Sequence, residues 1–184
     1  MGLMIEDGKG TGKLAAVDSE NRLIVKAITE HEILSAIKEG NGYSWTNVTY
    51  DYAAADTILL VRNESSDLNL IIRKFVMSSD TATYATIHSP TAAFVGAGTI
   101  VTGVNSNRAS GKVAPASAWS NETGNVQGAV IRRPSLAVAN TDYEVHFAGG
   151  GVILGNGQSI GVDYITNGAA CRVTICGYFE EPGE

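Results

Sequence analysis

From residue 43 to residue 179 the chain is a run of short segments rich in Val, Ile, Thr and Tyr, each closed by a turn signal. Side chains of these types favour a pleated, half-buried surface. The expected strands are 43–50, 57–63, 68–77, 83–88, 99–105, 129–131, 142–147, 151–154, 158–164 and 170–179. The clusters between them, such as Asn63-Glu-Ser-Ser-Asp67, Gly149-Gly-Gly151 and Gly155-Asn-Gly157, are turn formers. Strands spaced by about ten residues specify a sandwich or barrel. Around eight of them in one domain, with loops of unequal length, favour an antiparallel jelly-roll sandwich over a seven-stranded immunoglobulin-like one. The expected fold is therefore mainly β. A hydrophobic fraction of 44% and a charged fraction of 17% agree with a packed core rather than a disordered chain. The polar stretch 105–128, which holds Trp119, is expected to be one long exposed loop.

The first 42 residues differ in character, and the expected division is an appendage, 1–42, followed by the sandwich, 43–184. Residues 1–13 alternate glycine with Lys and Thr and have no apolar face to bury, which describes an extended arm. Two apolar runs, 14–17 and 22–27, flank Asp18-Ser-Glu-Asn21 and predict a hairpin. Thr29 with Glu32 three residues later forms a capping-box pattern, and Gly40 suits a helix C-terminus, so a helix is expected over 29–39. Its apolar stripe is Ile33, Leu34 and Ile37, which faces either the domain's own sheet or other subunits.

Chemistry-bearing patterns fail on their context. Gly157-Gln-Ser-Ile-Gly161 matches G-x-S-x-G, but strand residues follow it where a nucleophile elbow needs a helix. Gly8-Lys-Gly-Thr-Gly-Lys13 resembles a phosphate loop, but glycine is missing at Asp7, Ser/Thr is missing at Leu14, and no strand precedes it. His31, His88 and His146 lie on separate elements, and no Cys/His set has zinc spacing, so no catalytic, metal or cofactor site is expected. Asp142, Glu144 and Asp163 are carboxylates that could pair only if folding brings them together. Tyr43, Trp45, Tyr50, Tyr52 and Trp119 could stack on sugar rings, but Tyr43 and Trp45 alternate as a core or subunit interface requires. Cys171 and Cys176 are five positions apart on one strand, about 16 Å and on opposite faces, too far for a disulfide between them. They are expected as free thiols, which suits folding in a reducing cytoplasm.

Thirteen Lys+Arg against nineteen Asp+Glu give a net charge of −6, which argues against nucleic acid as a partner. The start lacks the basic and apolar regions of a signal peptide, and no apolar run approaches the roughly 20 residues of a membrane-spanning helix. The three Asn-x-Ser/Thr patterns, at Asn47, Asn63 and Asn121, are then chance matches.

Both ends of the chain resemble small virion proteins of tailed bacteriophages. At the start these residues are Glu6-Asp-Gly-Lys-Gly-Thr-Gly-Lys13, the Val17-Asp-Ser-Glu-Asn-Arg-Leu23 hairpin, Ile28-Thr-Glu-His-Glu32, and Glu39-Gly-Asn-Gly-Tyr43. At the end, Leu154-Gly-Asn-Gly-Gln-Ser-Ile-Gly-Val162 and Cys171-Arg-Val-Thr-Ile-Cys-Gly-Tyr-Phe-Glu180 are similar to the last strands of phage jelly rolls. The resemblance covers about a third of the chain and leaves 78–135 unmatched. It implies a non-enzymatic particle component made in the host cytoplasm and carried in the virion. Two roles fit: a capsid decoration (cement) protein on the head, or a tail or fibre module binding a receptor or carbohydrate. Expected partners are the major capsid protein or other virion subunits, with a homotrimer as the assembly and neither nucleic acid nor membrane as a ligand. Within it, Asp7, Gly8, Lys9, Gly10 and Lys13 are the expected docking residues, Ile33, Leu34 and Ile37 a subunit interface, and Trp119 the contact of a ligand loop.

Overall fold

The computed structural model describes residues 16–17, 23–24, 32–48, 57–90, 97–122, 128–147, 151–165 and 170–182. The chain forms two compact units, Met1–His31 and Glu32–Glu184. In the first, β1 (Ala16–Val17) and β2 (Leu23–Ile24) pair antiparallel, with Ala16 opposite Ile24, at the expected hairpin. The arm and Thr29 lie outside the described residues.

The second unit opens with α1 (Glu32–Lys38). The helix ends in a Schellman motif: the Asn41 amide donates to Ala36 O at 2.7 Å and the Gly40 amide to Ile37 O at 2.9 Å. Gly40 has φ +76°, a conformation that glycine adopts without penalty. The helix thus stands within the second unit, although the sequence division at 42 grouped it with the arm.

Eight principal strand positions follow. They are β3 (Gly42–Thr46), β4 (Thr57–Asn63), β5 (Asn69–Ser79), β6 (Thr83–Ser89), the pair β10 (Ala129–Arg132) and β11 (Ser135–Leu136), the pair β12 (Tyr143–His146) and β13 (Val152–Leu154), β14 (Ser159–Tyr164) and β15 (Cys171–Glu180). One sheet runs β12/β13–β5–β15–β3, and the other runs β10/β11–β6–β14–β4. All pairings are antiparallel. This alternation between two facing four-position sheets is the jelly-roll order. The inner faces meet in one core that includes Trp45, Leu59, Ile72, Phe75, Ile87, Val162 and Ile175. Tyr43 and Trp45 are part of it, with Tyr43 edge-on to Phe179 at 5.8 Å, as their alternation implied. Tyr164 on β14 reaches the opposite sheet, its hydroxyl lying 3.0 Å from Arg172 O and 3.1 Å from Ser78 O.

The expected loop at 105–128 is corrected by the structure. Within it, β9 (Ala116–Glu122) pairs with β4 along Leu60↔Trp119 and its neighbours. The expected single strand 99–105 divides into β7 (Thr99–Ile100), which pairs with β9, and β8 (Val104–Asn105), which pairs with β3. These strands extend both sheets on the same side of the sandwich, and the chain crosses between them at 101–103. Val101 enters the core there, and Gly103 lies so close to the Trp45 indole that a Cβ would stand 2.6 Å from Nε1. The buried Glu122 carboxylate accepts the Ala97 and Gly98 amides, holding the start of the insertion to its end.

Candidate functional site

Of the three positions read as a subunit interface, the helix separates one from the other two. Ile33 packs beside Ala36 on Ile71 and Tyr178, on the outer face of the β12/β13–β5–β15–β3 sheet. Ile37 stands against Gly42, where an added Cβ would lie 2.8 Å from its Cγ1. Leu34 is 48% exposed and turns away. The helix thus uses part of its stripe to cover its own sheet. The docking residues Asp7, Gly8, Lys9, Gly10 and Lys13 lie outside the described residues.

Trp119 sits on a paired strand rather than at a loop tip. Its neighbours across the ladder are the buried Leu60 and, on the outer strand, Ile100, which is 72% exposed. An aromatic ring and an aliphatic side chain therefore share one edge of the second sheet. Tyr50 and Tyr52 lie outside the described residues.

The three carboxylates do not converge. Glu144, on β12, accepts from Lys74 Nζ at 2.6 Å, and its other oxygen lies 3.0 Å from His146 Nε2. These contacts, Lys74 first, hold its carboxyl below the usual range. Asp142 precedes the same strand and lines a polar hollow with Ser78, Asn140 and Arg172. Asp163 is on β14 in the other sheet, beside the fully buried His88, with Oδ2 2.9 Å from Nε2. Ser159, the central serine of the G-x-S-x-G match, begins β14 as a strand residue. His88 Nε2 faces Asp163, and in the ladders Ser159 lies opposite Arg62 while His88 lies opposite Gly161, so the ring is directed to the carboxylate rather than to the serine. A nucleophile needs a base within hydrogen-bond reach, and Ser159, His88 and Asp163 do not form such a relay.

The His88–Asp163 pair escaped the sequence reading because its members are 75 positions apart and meet only through the Gly161↔His88 register. A usable signal was present: His88, the one ionisable imidazole in β6, inside a strand whose other residues are Thr, Tyr, Ala, Ile and Ser. Among the described residues no group of three His, Cys, Asp or Glu side chains could hold a metal. Cys171 is buried and Cys176 half-buried, both free as the strand geometry required. Burial pushes the Cys176 thiol above its ordinary pKa. Among the described residues no helix is long and apolar enough to cross a membrane. Comparison with protein-family models, curated proteins and solved structures gives no match.

Proposed function

We propose that this chain is a non-enzymatic structural protein of a phage particle, a decoration protein that docks on the assembled head and stabilises it. The observation that carries the reading is the jelly-roll strand order, whose last strands, β14 and β15, fall in the C-terminal segments that resemble phage virion proteins. A further feature suits assembly. The outer strand β10 exposes all four of its residues, Val130 and Ile131 among them, and Tyr84 on the neighbouring β6 is exposed as well. Exposed apolar side chains along a sheet edge supply an interface for neighbouring subunits. The partners proposed are the major capsid protein and two further copies of this chain. A ligand that binds only the assembled shell stabilises it by mass action.

The test adds purified protein to shells lacking it and measures breakage on heating. Decoration should raise the breakage temperature, label the whole head in electron micrographs, and fail after deletion of residues 1–13. No change in breakage, with label confined to the tail, would overturn the reading. The exposed Ile100 beside Trp119 favours a second one, a tail module that binds a receptor or carbohydrate. Binding of the isolated protein to cells or glycans, lost in Trp119→Ala, would support it.

A further inference from the structure

On the outer face of the first sheet, beside α1, lies a cavity of about 270 Å³. Its apolar lining comes from Ile33 and Ile37 of the helix, Phe147 after β12, and Tyr178. An irregularity in the ladder accompanies it. Cys176 lies opposite Lys74 and Gly177 opposite Ile72, which leaves Arg73 as an extra residue on β5. Bulges of this kind bend a strand and re-aim a side chain, often beside a binding site. At Gly177 the strands approach so closely that a Cβ would lie 2.5 Å from Ile71 O.

The extra residue brings charge to the cavity. Arg73 is half-buried in its lining; its carbonyl accepts the Phe147 amide, and its side chain makes neither hydrogen bond nor ion pair among the described residues. The other basic side chains in the lining, Lys74 and His146, both contact Glu144. A guanidinium offers a planar fork matched to a carboxylate, and Arg73 shares the lining with the apolar Ile33, Ile37 and Phe147. The volume exceeds the roughly 150 Å³ of an engineered cavity that takes benzene, so a single ring with a short side chain fits.

We propose that this cavity binds a small amphipathic monocarboxylate, its apolar or aromatic body against Ile33, Ile37 and Phe147 and its carboxylate on Arg73. The site is independent of the particle role. Cys176, which also lines the cavity, provides a second readout because a bound ligand would cover its thiol.

The test titrates the full chain with 3-phenylpropanoate and with its neutral amide, by calorimetry and by amide NMR shifts. The acid should bind about tenfold more tightly than the amide, a difference of about 1.4 kcal/mol. It should shift the Ile37 and Gly177 resonances and slow alkylation of Cys176. Arg73→Gln should bring the acid down to the amide's affinity and leave the amide unchanged, whereas Arg73→Lys should restore part of the preference. Equal affinity of acid and amide, no binding of either at millimolar concentration, or an acid preference that survives Arg73→Gln would each overturn the proposal. If Arg73→Gln fails to fold, acid and amide compared on the unaltered chain decide the matter alone.

Discussion

Asn63, the last residue of β4, is fully buried, and every polar atom of its side chain is in use. Nδ2 donates to Leu68 O and to Leu154 O, both at 2.8 Å, and Oδ1 accepts from the Ser65 amide at 2.9 Å. Its backbone accepts from the Gly157 amide at 2.8 Å and donates to Gln158 O at 3.0 Å. One side chain thus ties the β4–β5 connection to the β13–β14 hairpin. Asn63→Ala removes three hydrogen bonds, each worth about 1 kcal/mol net, so the predicted loss is about 3 kcal/mol. In a chain of this length that lowers Tm by about 6–12 °C. With a urea m-value of about 2 kcal/mol/M, the midpoint falls by about 1.5 M. Asn63→Asp should cost more at neutral pH, because it keeps the acceptor for Ser65 but turns an oxygen toward two carbonyls. Urea unfolding followed by tryptophan emission, with Trp45 fully buried, measures all three chains. Ser66→Ala, whose hydroxyl bond to Asp67 is exposed, serves as the silent control. A midpoint shift for Asn63→Ala below about 0.3 M, or an Asp variant as stable as the Ala variant, would refute the assignment of energy to these bonds.

Gly177→Ala forces a Cβ against the Ile71 carbonyl and should cost at least about 2 kcal/mol, read as a lowered Tm with an unchanged circular dichroism spectrum. Leu34→Asp should leave the melting curve nearly unchanged, whereas Ala36→Asp, placed against Ile71 and Tyr178, should lower Tm by several degrees; equal effects would contradict the helix orientation. Under oxidising conditions Cys171 and Cys176 should stay unlinked in peptide mapping. Alkylation of the native protein should reach Cys176 before Cys171, with a rate that rises at pH values above the ordinary thiol range. The Glu144 carboxyl is held below its unfolded value, so its contribution to stability is present at neutral pH and fades as pH falls through the carboxylate range. Glu144→Gln should remove that part of the pH dependence, which urea midpoints collected from acid to neutral pH would show.

Strand positions were legible where composition and alternation acted together. The expected 57–63 coincides with β4, and most of the others match to within one or two residues. Two strands were not legible for different reasons. β9, Ala-Ser-Ala-Trp-Ser-Asn-Glu, is made of small and polar residues apart from Trp119. It is a strand because β4 presents an open ladder beside it, which no propensity of its own announces. β11 is two residues long and follows Pro134, too short to carry a period. Within the expected 43–50, β3 ends at Thr46, where Asn47 takes over the ladder with its side chain, and 49–50 lie outside the described residues. Asn47 Nδ2 donates to Cys171 O at 2.9 Å, and its Oδ1 accepts the Val173 amide at 2.7 Å.

Features under local control could be read from the chain directly. They include which segments extend, where turns fall, that Gly40 caps α1, and that Cys171 and Cys176 face opposite ways. Those features rest on side-chain shape, backbone freedom and a period of two, all set within a few residues. The tertiary structure alone decided which strands pair, and therefore which distant groups meet. The Gly161↔His88 register places His88 beside Asp163, and the slip at Cys176/Gly177 leaves Arg73 as the extra residue at the cavity. Alternation tells which face of a strand is buried but not which strand lies next to it. Partners far apart in the chain are selected by the fit of the whole sandwich.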